Sequence, residues 1–212
     1  MDEFAKPAPA VYLLAAHPNW GESRVNRQLL ERARQLPWVR VQDLYGSYPD
    51  YDIDVSAEQA AVAAAQLVVL LHPIQWYSMP ALMKLWLDEV LRYGWAYGTG
   101  GTALQGKDVW LVATTGGSDA SYHPQGYNRY FFDAFLPPYE QTAALCGMRF
   151  LPPMLLHGAH RVAPEVVAAH VETFGQRLGS YPDWPELADL PACPGCDVPT
   201  GDRPAVHDQA GR

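Results

Sequence analysis

The sequence predicts a doubly wound α/β fold, a parallel sheet of five strands with helices on both faces. Three observations predict it. Short, uninterrupted apolar runs recur along the chain, as strands buried on both faces of a parallel sheet require. Between them the apolar residues fall at helical spacing, so strand and helix alternate. The chain has 212 residues and is 49% hydrophobic, enough for one domain with an ample core.

The first strand is Val11-Tyr-Leu-Leu-Ala-Ala16, stopped by the loop His17-Pro-Asn-Trp-Gly21. Val25, Leu29, Leu30 and Ala33 then recur at helical spacing behind Ser23, a candidate N-cap. Val39–Leu44 is the second strand. Alanine-rich Ala57–Gln66 is the next helix and leads into the strand Leu67-Val-Val-Leu-Leu71. Pro80 suits a first helical turn. Leu82, Leu85, Trp86, Val90 and Leu91 form the stripe of that helix, with Lys84 and Asp88 paired four apart. A Gly-rich loop, Gly94–Gly106, precedes the fourth strand, Val109–Thr115. Residues 128–146 have helical character interrupted at Pro137-Pro138, Met148–Leu155 is the fifth strand, and Pro164–Leu178 closes the domain. Five strands suit the flavodoxin-like order 2-1-3-4-5. Residues 10–181 are thus the folded domain. Residues 182–212, with prolines, acids and glycine but no periodicity, are expected to be a weakly structured tail.

A net charge of −8 and a pI near 5.2 argue against nucleic acid or an anionic membrane surface as partner. Residues 1–10 lack a basic region followed by an apolar one, and no stretch approaches the roughly 18 apolar residues of a membrane span. A cytoplasmic protein is expected. Cys146, Cys193 and Cys196 make no disulfide framework. Cys193-Pro-Gly-Cys196 is a single C-x-x-C without the two further ligands zinc needs, so no metal site is expected. Asp50, Asp52 and Asp54 suit a charged loop better than a cation site.

In open α/β sheets ligands bind beyond the carboxyl ends of the strands, at the point where strand order reverses. Three loops lie there. His17-Pro-Asn-Trp-Gly-Glu-Ser-Arg-Val-Asn26 joins a buried strand to a helix N-terminus, where free amides, the dipole, Ser23, Asn26, Arg24 and His17 can cradle a phosphate. The same residues also suit a capped helix with an exposed arginine. No G-x-G-x-x-G or P-loop pattern occurs in it. His72-Pro-Ile-Gln-Trp-Tyr-Ser-Met-Pro80 puts Trp76 and Tyr77 at the sheet edge, where they cover a planar ligand or cap the core, with Gln75 available to hydrogen-bond. His72 is expected to be a satisfied interior residue. Thr114-Thr-Gly-Gly117 opens the third loop, where paired glycines expose amides and let a ligand approach.

These segments resemble the flavodoxin-like NAD(P)H:quinone reductases, the DT-diaphorase family, and most closely its bacterial branch of ancillary flavoproteins of glutathione-gated potassium efflux. The likeness runs from about Val11 to Ala159. It rests on Ala16-His-Pro18, on His72-Pro-Ile-Gln-Trp-Tyr-Ser-Met-Pro-Ala-Leu-Met-Lys-Leu-Trp-Leu-Asp88, on Gly94-Trp-Ala-Tyr-Gly-Thr-Gly-Gly-Thr-Ala-Leu-Gln-Gly-Lys107 and on Thr114-Thr-Gly-Gly117. The resemblance implies FMN (FAD as the larger alternative) with its phosphate and ribityl end along His17, Ser23, Arg24, Val25 and Asn26. It implies the ring along Ile74, Gln75, Trp76 and Tyr77, and the ring's polar edge against Thr114, Thr115, Gly116 and Gly117. Tyr122 matches a tyrosine near flavin and acceptor, and Tyr97 an aromatic offered by the partner subunit of a homodimer. Asn128 stands where the eukaryotic relatives have a histidine, so a Tyr/His proton relay does not carry over intact. Asn128 donates a hydrogen bond but takes no proton, and His123 is a neighbouring candidate.

The activity so implied is transfer of hydride from NAD(P)H, by a ping-pong cycle, to a quinone or other electrophilic acceptor. The cofactor carries the redox chemistry and the protein orients it, with the Thr114–Gly117 amides stabilising negative charge. The alternative is a regulatory subunit docked on a membrane potassium-efflux antiporter, held peripherally at the inner face of the cell membrane, with redox activity secondary. No G-x-S-x-G or H-E-x-x-H occurs.

Overall fold

Strand and helix alternate in the computed structural model, which describes residues 11–190, as the apolar periodicity requires. The strands are β1 Val11–Ala15, β2 Val39–Asp43, β3 Leu67–Pro73, β4 Asp108–Thr114 and β5 Arg149–Leu156. They form one sheet in the order β2-β1-β3-β4-β5 with every neighbour parallel. Val11 pairs with Val39 on one side and Leu67 on the other, so chain direction around the sheet reverses between β1 and β3. That gap is the switch point.

Helices α1 Asn26–Arg34 and α6 Pro164–Ser180 cover one face, over a core of Leu13, Leu29, Val69, Trp110 and Phe174. Helices α3 Val55–Ala64, α4 Ala81–Val90 and α5 Pro137–Leu145 belong to the other, over Tyr12, Leu14, Leu70, Trp86 and Leu111. The short helix α2 Leu44–Ser47 follows β2. Alternate residues of a strand enter opposite cores, as the pleat demands.

Three local expectations are corrected. The first helix begins not behind Ser23 but a turn's fraction later, with Val25 at the N-cap position. Ser23 Oγ instead accepts from Arg27 N at 3.2 Å, inside the entry turn. Pro137 and Pro138 do not interrupt a helix over 128–146. They begin α5, where a missing N–H costs nothing, and residues 132–135 form a separate 3₁₀ turn. In the charged loop after β2, Asp54 Oδ1 accepts from Ala57 N at 2.9 Å and starts α3. The tail does not begin at 182. Trp184 and Leu187 are buried in the core beneath α6, the Trp184 ring 4.9 Å from Trp110 and beneath the Arg177 guanidinium at 4.0 Å. Arg149 Nη1 donates to Leu187 O at 3.1 Å, tying the same segment to β5. Cys193 and Cys196 lie outside the described residues. Lys84 and Asp88 do pair, and Cys146 is buried.

Candidate functional site

The carboxyl ends of β1, β3, β4 and β5 bring four loops together, and hydrogen bonds join them. Asn26 Nδ2 donates to Thr114 Oγ1 at 2.9 Å, fastening the first loop to the third. Ile74 N donates to Thr114 O at 2.7 Å, fastening the second. Gly158 N and Ala159 N donate to Gly117 O and Thr115 O at 2.7 and 2.9 Å, which adds the loop after β5. That fourth loop went unread in the sequence, although His157 stands just past the apolar run of β5.

Loop one is preorganised. His17 Nδ1 accepts from Asn19 N at 3.1 Å, which leaves its proton on Nε2, and its ring lies 5.3 Å from Trp20. Burial lowers the His17 pKa, with Asn19 and Glu22 opposing. Trp20 Nε1 donates to Asp43 Oδ1 at 2.9 Å, and Arg24 Nη1 reaches His160 O at 3.5 Å. Val25 and Asn26 are buried at the start of α1. The Oδ1 atom of Asn26 is buried with no partner among the described residues. Unpaired buried acceptors are uncommon and call for an explanation.

Loop two is strained in a defined way. Gln75 N donates to Ser78 O at 2.9 Å and Ser78 N returns to Gln75 O at 3.0 Å, closing a two-residue turn. Its central residues, Trp76 and Tyr77, have φ of +48° and +66°. Turns of the type I′ kind need positive φ at both places and favour Asn and Gly. Two aromatics there cost about 1–2 kcal/mol each. Trp76 gains no packing in return, for it is 94% exposed, while Tyr77 stacks on Phe135 at 5.3 Å. The core-capping alternative therefore fails for Trp76. Its indole is held out beside the switch point.

Loop three presents backbone. No described group accepts from the amides of Gly116, Gly117, Trp76 or Tyr77. A Cβ at Gly116 would meet only the His160 ring, 3.6 Å away, so the fold itself leaves room at that position. Tyr122 is buried against Phe132, Phe135 and His157 at 5.2, 5.8 and 5.2 Å, and burial raises its pKa. Asn128 is buried and aims its Nδ2 toward Gly117, and its Oδ1 has no partner among the described residues. His123 is exposed, bound to Gln125 and edge-on to Phe131, 4.6 Å between centroids. His72 is fully buried, its Nδ1 donating to Pro73 O at 2.9 Å, and burial holds its pKa down to about 4.

Between the third and fourth loops lies a cleft of about 580 Å³, lined by Gly116, Gly117, Asp119, Tyr127, His157 and Arg161 among others. Of the residues expected at the site, Gly116 and Gly117 line that cleft, and Asn26 and Ile74 fasten the first two loops to Thr114 beside it. Tyr97 lines a separate cleft of about 280 Å³ with Lys84, Asp88, Leu145 and Cys146.

Fold and site together define a doubly wound α/β protein whose loops after β1, β3, β4 and β5 meet at the carboxyl edge of the sheet, with an open cleft between the last two. Free amides, two orphaned carboxamide oxygens and a displayed indole fit a flavin. The chain belongs to the flavodoxin-like fold family, whose model matches residues 10–178. It is 48% identical over 170 residues to the glutathione-regulated potassium-efflux system ancillary protein KefG of Serratia proteamaculans, covering 80% of this chain and 93% of that one. With the ancillary protein KefF of Citrobacter koseri it shares 44% over 168 residues, 79% and 94% of the two chains. General stress protein 14 of Treponema denticola, solved in complex with FMN, superposes with a TM-score of 0.73 at 35% identity, covering 82% of this chain and 98% of that one.

Proposed function

We propose that this chain holds FMN across the loops at the carboxyl ends of β1, β3 and β4 and passes hydride from a nicotinamide nucleotide to a quinone or similar electrophile in a ping-pong cycle. The observation that carries the reading is the Gln75–Ser78 turn. It holds Trp76 outward at a conformational cost beside amides that nothing among the described residues accepts from. Strain of this kind persists where the surroundings over-determine it, and it clusters at ligand clamps. The FMN-bound relative at 35% identity supports the same cofactor.

When bound, the flavin supplies two-electron exchange between nucleotide and acceptor. The chain's own residues orient and polarise. Ser23, Arg24 and the α1 N-terminus hold phosphate. Asn26 braces that loop against Thr114 and turns its free Oδ1 toward a ribityl donor. Trp76 and Tyr77 flank the ring, while Gly116 and Gly117 amides and Asn128 Nδ2 stabilise charge at its polar edge. Tyr122 closes the inner wall. A homodimer would bring the Tyr97 cleft of one copy to the flavin loops of the other.

The similarity to KefG and KefF favours a second, compatible reading, in which the protein docks as an ancillary subunit on a potassium-efflux antiporter at the inner face of the membrane. No helix among the described residues is long and apolar enough to cross a membrane, so membrane contact would go through that partner.

An absorbance spectrum of the purified protein tests the first reading. A flavin spectrum that bleaches on anaerobic addition of NADPH and returns with a quinone is expected, and heat-released chromophore distinguishes FMN from FAD. A colourless protein that takes up no added FMN would leave docking as its role.

A further inference from the structure

Thr115 has one hydroxyl proton, and its destination decides the chemistry of a neighbouring imidazole. Thr115 Oγ1 donates to Gly117 O at 2.7 Å. The same oxygen lies 3.0 Å from His157 Nδ1 and so must accept there. His157 therefore carries its neutral proton on Nδ1. Its Nε2 is left with a lone pair, 3.7 Å from Asp119 Oδ1 and on the wall of the 580 Å³ cleft. The ring is clamped by Tyr122 at 5.2 Å and Phe132 at 5.3 Å. A fixed tautomer, an open nitrogen and a carboxylate beside it make a proton-exchanging group. Neither Asn128 nor the outlying His123 offers one here.

We propose that His157 is the general acid of this site, giving the proton on its Nε2 to an oxygen of the electrophilic acceptor, with the Asp119 carboxylate beside that nitrogen favouring the protonated ring. This rests on the hydride-transfer reading above. The acceptor gains two electrons and one hydrogen as hydride supplied from the nicotinamide nucleotide. The second hydrogen arrives as the Nε2–H bond breaks and the O–H bond forms. His157 is left neutral and regains its proton from water past Asp119, whose side chain is 93% exposed. The groups facing the imidazole are Asp119, Tyr122 and Tyr127 from the third loop and Arg161 from the fourth. Burial lowers the His157 pKa and Asp119 opposes it, so the loaded fraction, and the rate, fall as pH rises.

Two measurements test the proposal. Nitrogen-15 correlation spectra of the imidazole groups, recorded on the protein without nucleotide, are expected to report neutral His157 as the Nδ1–H tautomer. An Nε2–H tautomer would overturn the assignment. Stopped-flow return of flavin absorbance with a quinone is expected to slow by about tenfold or more in His157→Gln, and to lose its decline with rising pH. Unchanged rate and profile would overturn the role. If His157→Gln misfolds, Asp119→Asn alters only an exposed side chain. The His157 titration and the rate profile should then move to lower pH together, and a titration that moves while the profile stays would refute it. A protein that binds no flavin would fail the underlying reading, while the tautomer result stands or falls by itself.

Discussion

At the residue scale the site is a set of unspent hydrogen-bonding groups and one unspent ring. Trp76 was legible as unusual in the sequence, since a large aromatic at a strand's carboxyl end before a proline invites a planar partner. Its positive φ was not legible, because the Gln75–Ser78 turn is imposed by β3 and α4 on either side. Trp76→Gly separates the two effects. Relief of about 1–2 kcal/mol of left-handed strain is offset by about 0.5–1 kcal/mol from glycine's larger unfolded freedom. Urea unfolding should therefore change by no more than about 1.5 kcal/mol. Flavin affinity should drop up to about tenfold with the loss of an aromatic stacking partner, read by fluorescence titration. A large stability loss instead would mean that the indole packs in the folded protein. Asn26→Ala should also weaken flavin binding, and in addition unfasten the first loop from Thr114. Asn26 was picked out from the sequence; its bond to a residue 88 positions away was not, since only folding brings the two together.

At the element scale two buried polar groups hold helices to the sheet. Glu58, 2% exposed in the first turn of α3, accepts from Tyr12 OH at 2.6 Å, Trp86 Nε1 at 2.7 Å and Tyr48 OH at 2.7 Å. One carboxylate thus ties β1, α3, α4 and the segment after α2. No ion pair is recorded for it among the described residues. Glu58→Ala should cost about 3 kcal/mol or more by urea unfolding, because three donors lose their acceptor. Glu58→Gln should cost less, since the Tyr48 hydroxyl can turn and accept. Nothing in the sequence marked Glu58, which there is one acid in an alanine-rich helix. His72 at the end of β3 was expected to be a satisfied interior residue, and it is, between Pro73 O and Tyr139 OH. Its folded pKa of about 4 lies below the ordinary 6.5, so the unfolded chain takes up the proton first. Stability is then unaffected above pH 6.5 and is lost as pH falls toward 4, by roughly 3 kcal/mol. Unfolding midpoints across that range should show the loss, and His72→Gln should remove its share of the slope.

At the scale of the whole molecule, the boundary of the domain is the point where reading and structure part. Prolines and acids without periodicity make the residues past 181 read as a weakly structured tail, yet Trp184 and Leu187 fill the core beneath α6. Trp184 Nε1 donates to Arg177 O at 2.8 Å, and Arg149 grips Asp108 with both ends of its guanidinium at 2.8 and 2.9 Å. Tyr181 OH also donates to Asp108, at 2.9 Å. Trp184→Ala should cost about 3–5 kcal/mol, and a chain ended at 181 should melt well below the full one. If both melt like the parent, residues 182–190 contribute nothing and the domain ends where composition suggested.

The sequence by itself determined the class of fold, because apolar runs of strand length separated by helical periodicity have few alternatives once both faces of a sheet must be buried. It also determined which three loops would meet, because the carboxyl ends of adjacent parallel strands lie at one edge. Tertiary structure alone decided what those loops do with their atoms. The left-handed turn under Trp76, the orphaned oxygens of Asn26 and Asn128, the tautomer of His157 and the docking of Trp184 all depend on partners distant in the chain. Local periodicity carries no record of such partners, for it reports which face a residue occupies and not what stands opposite.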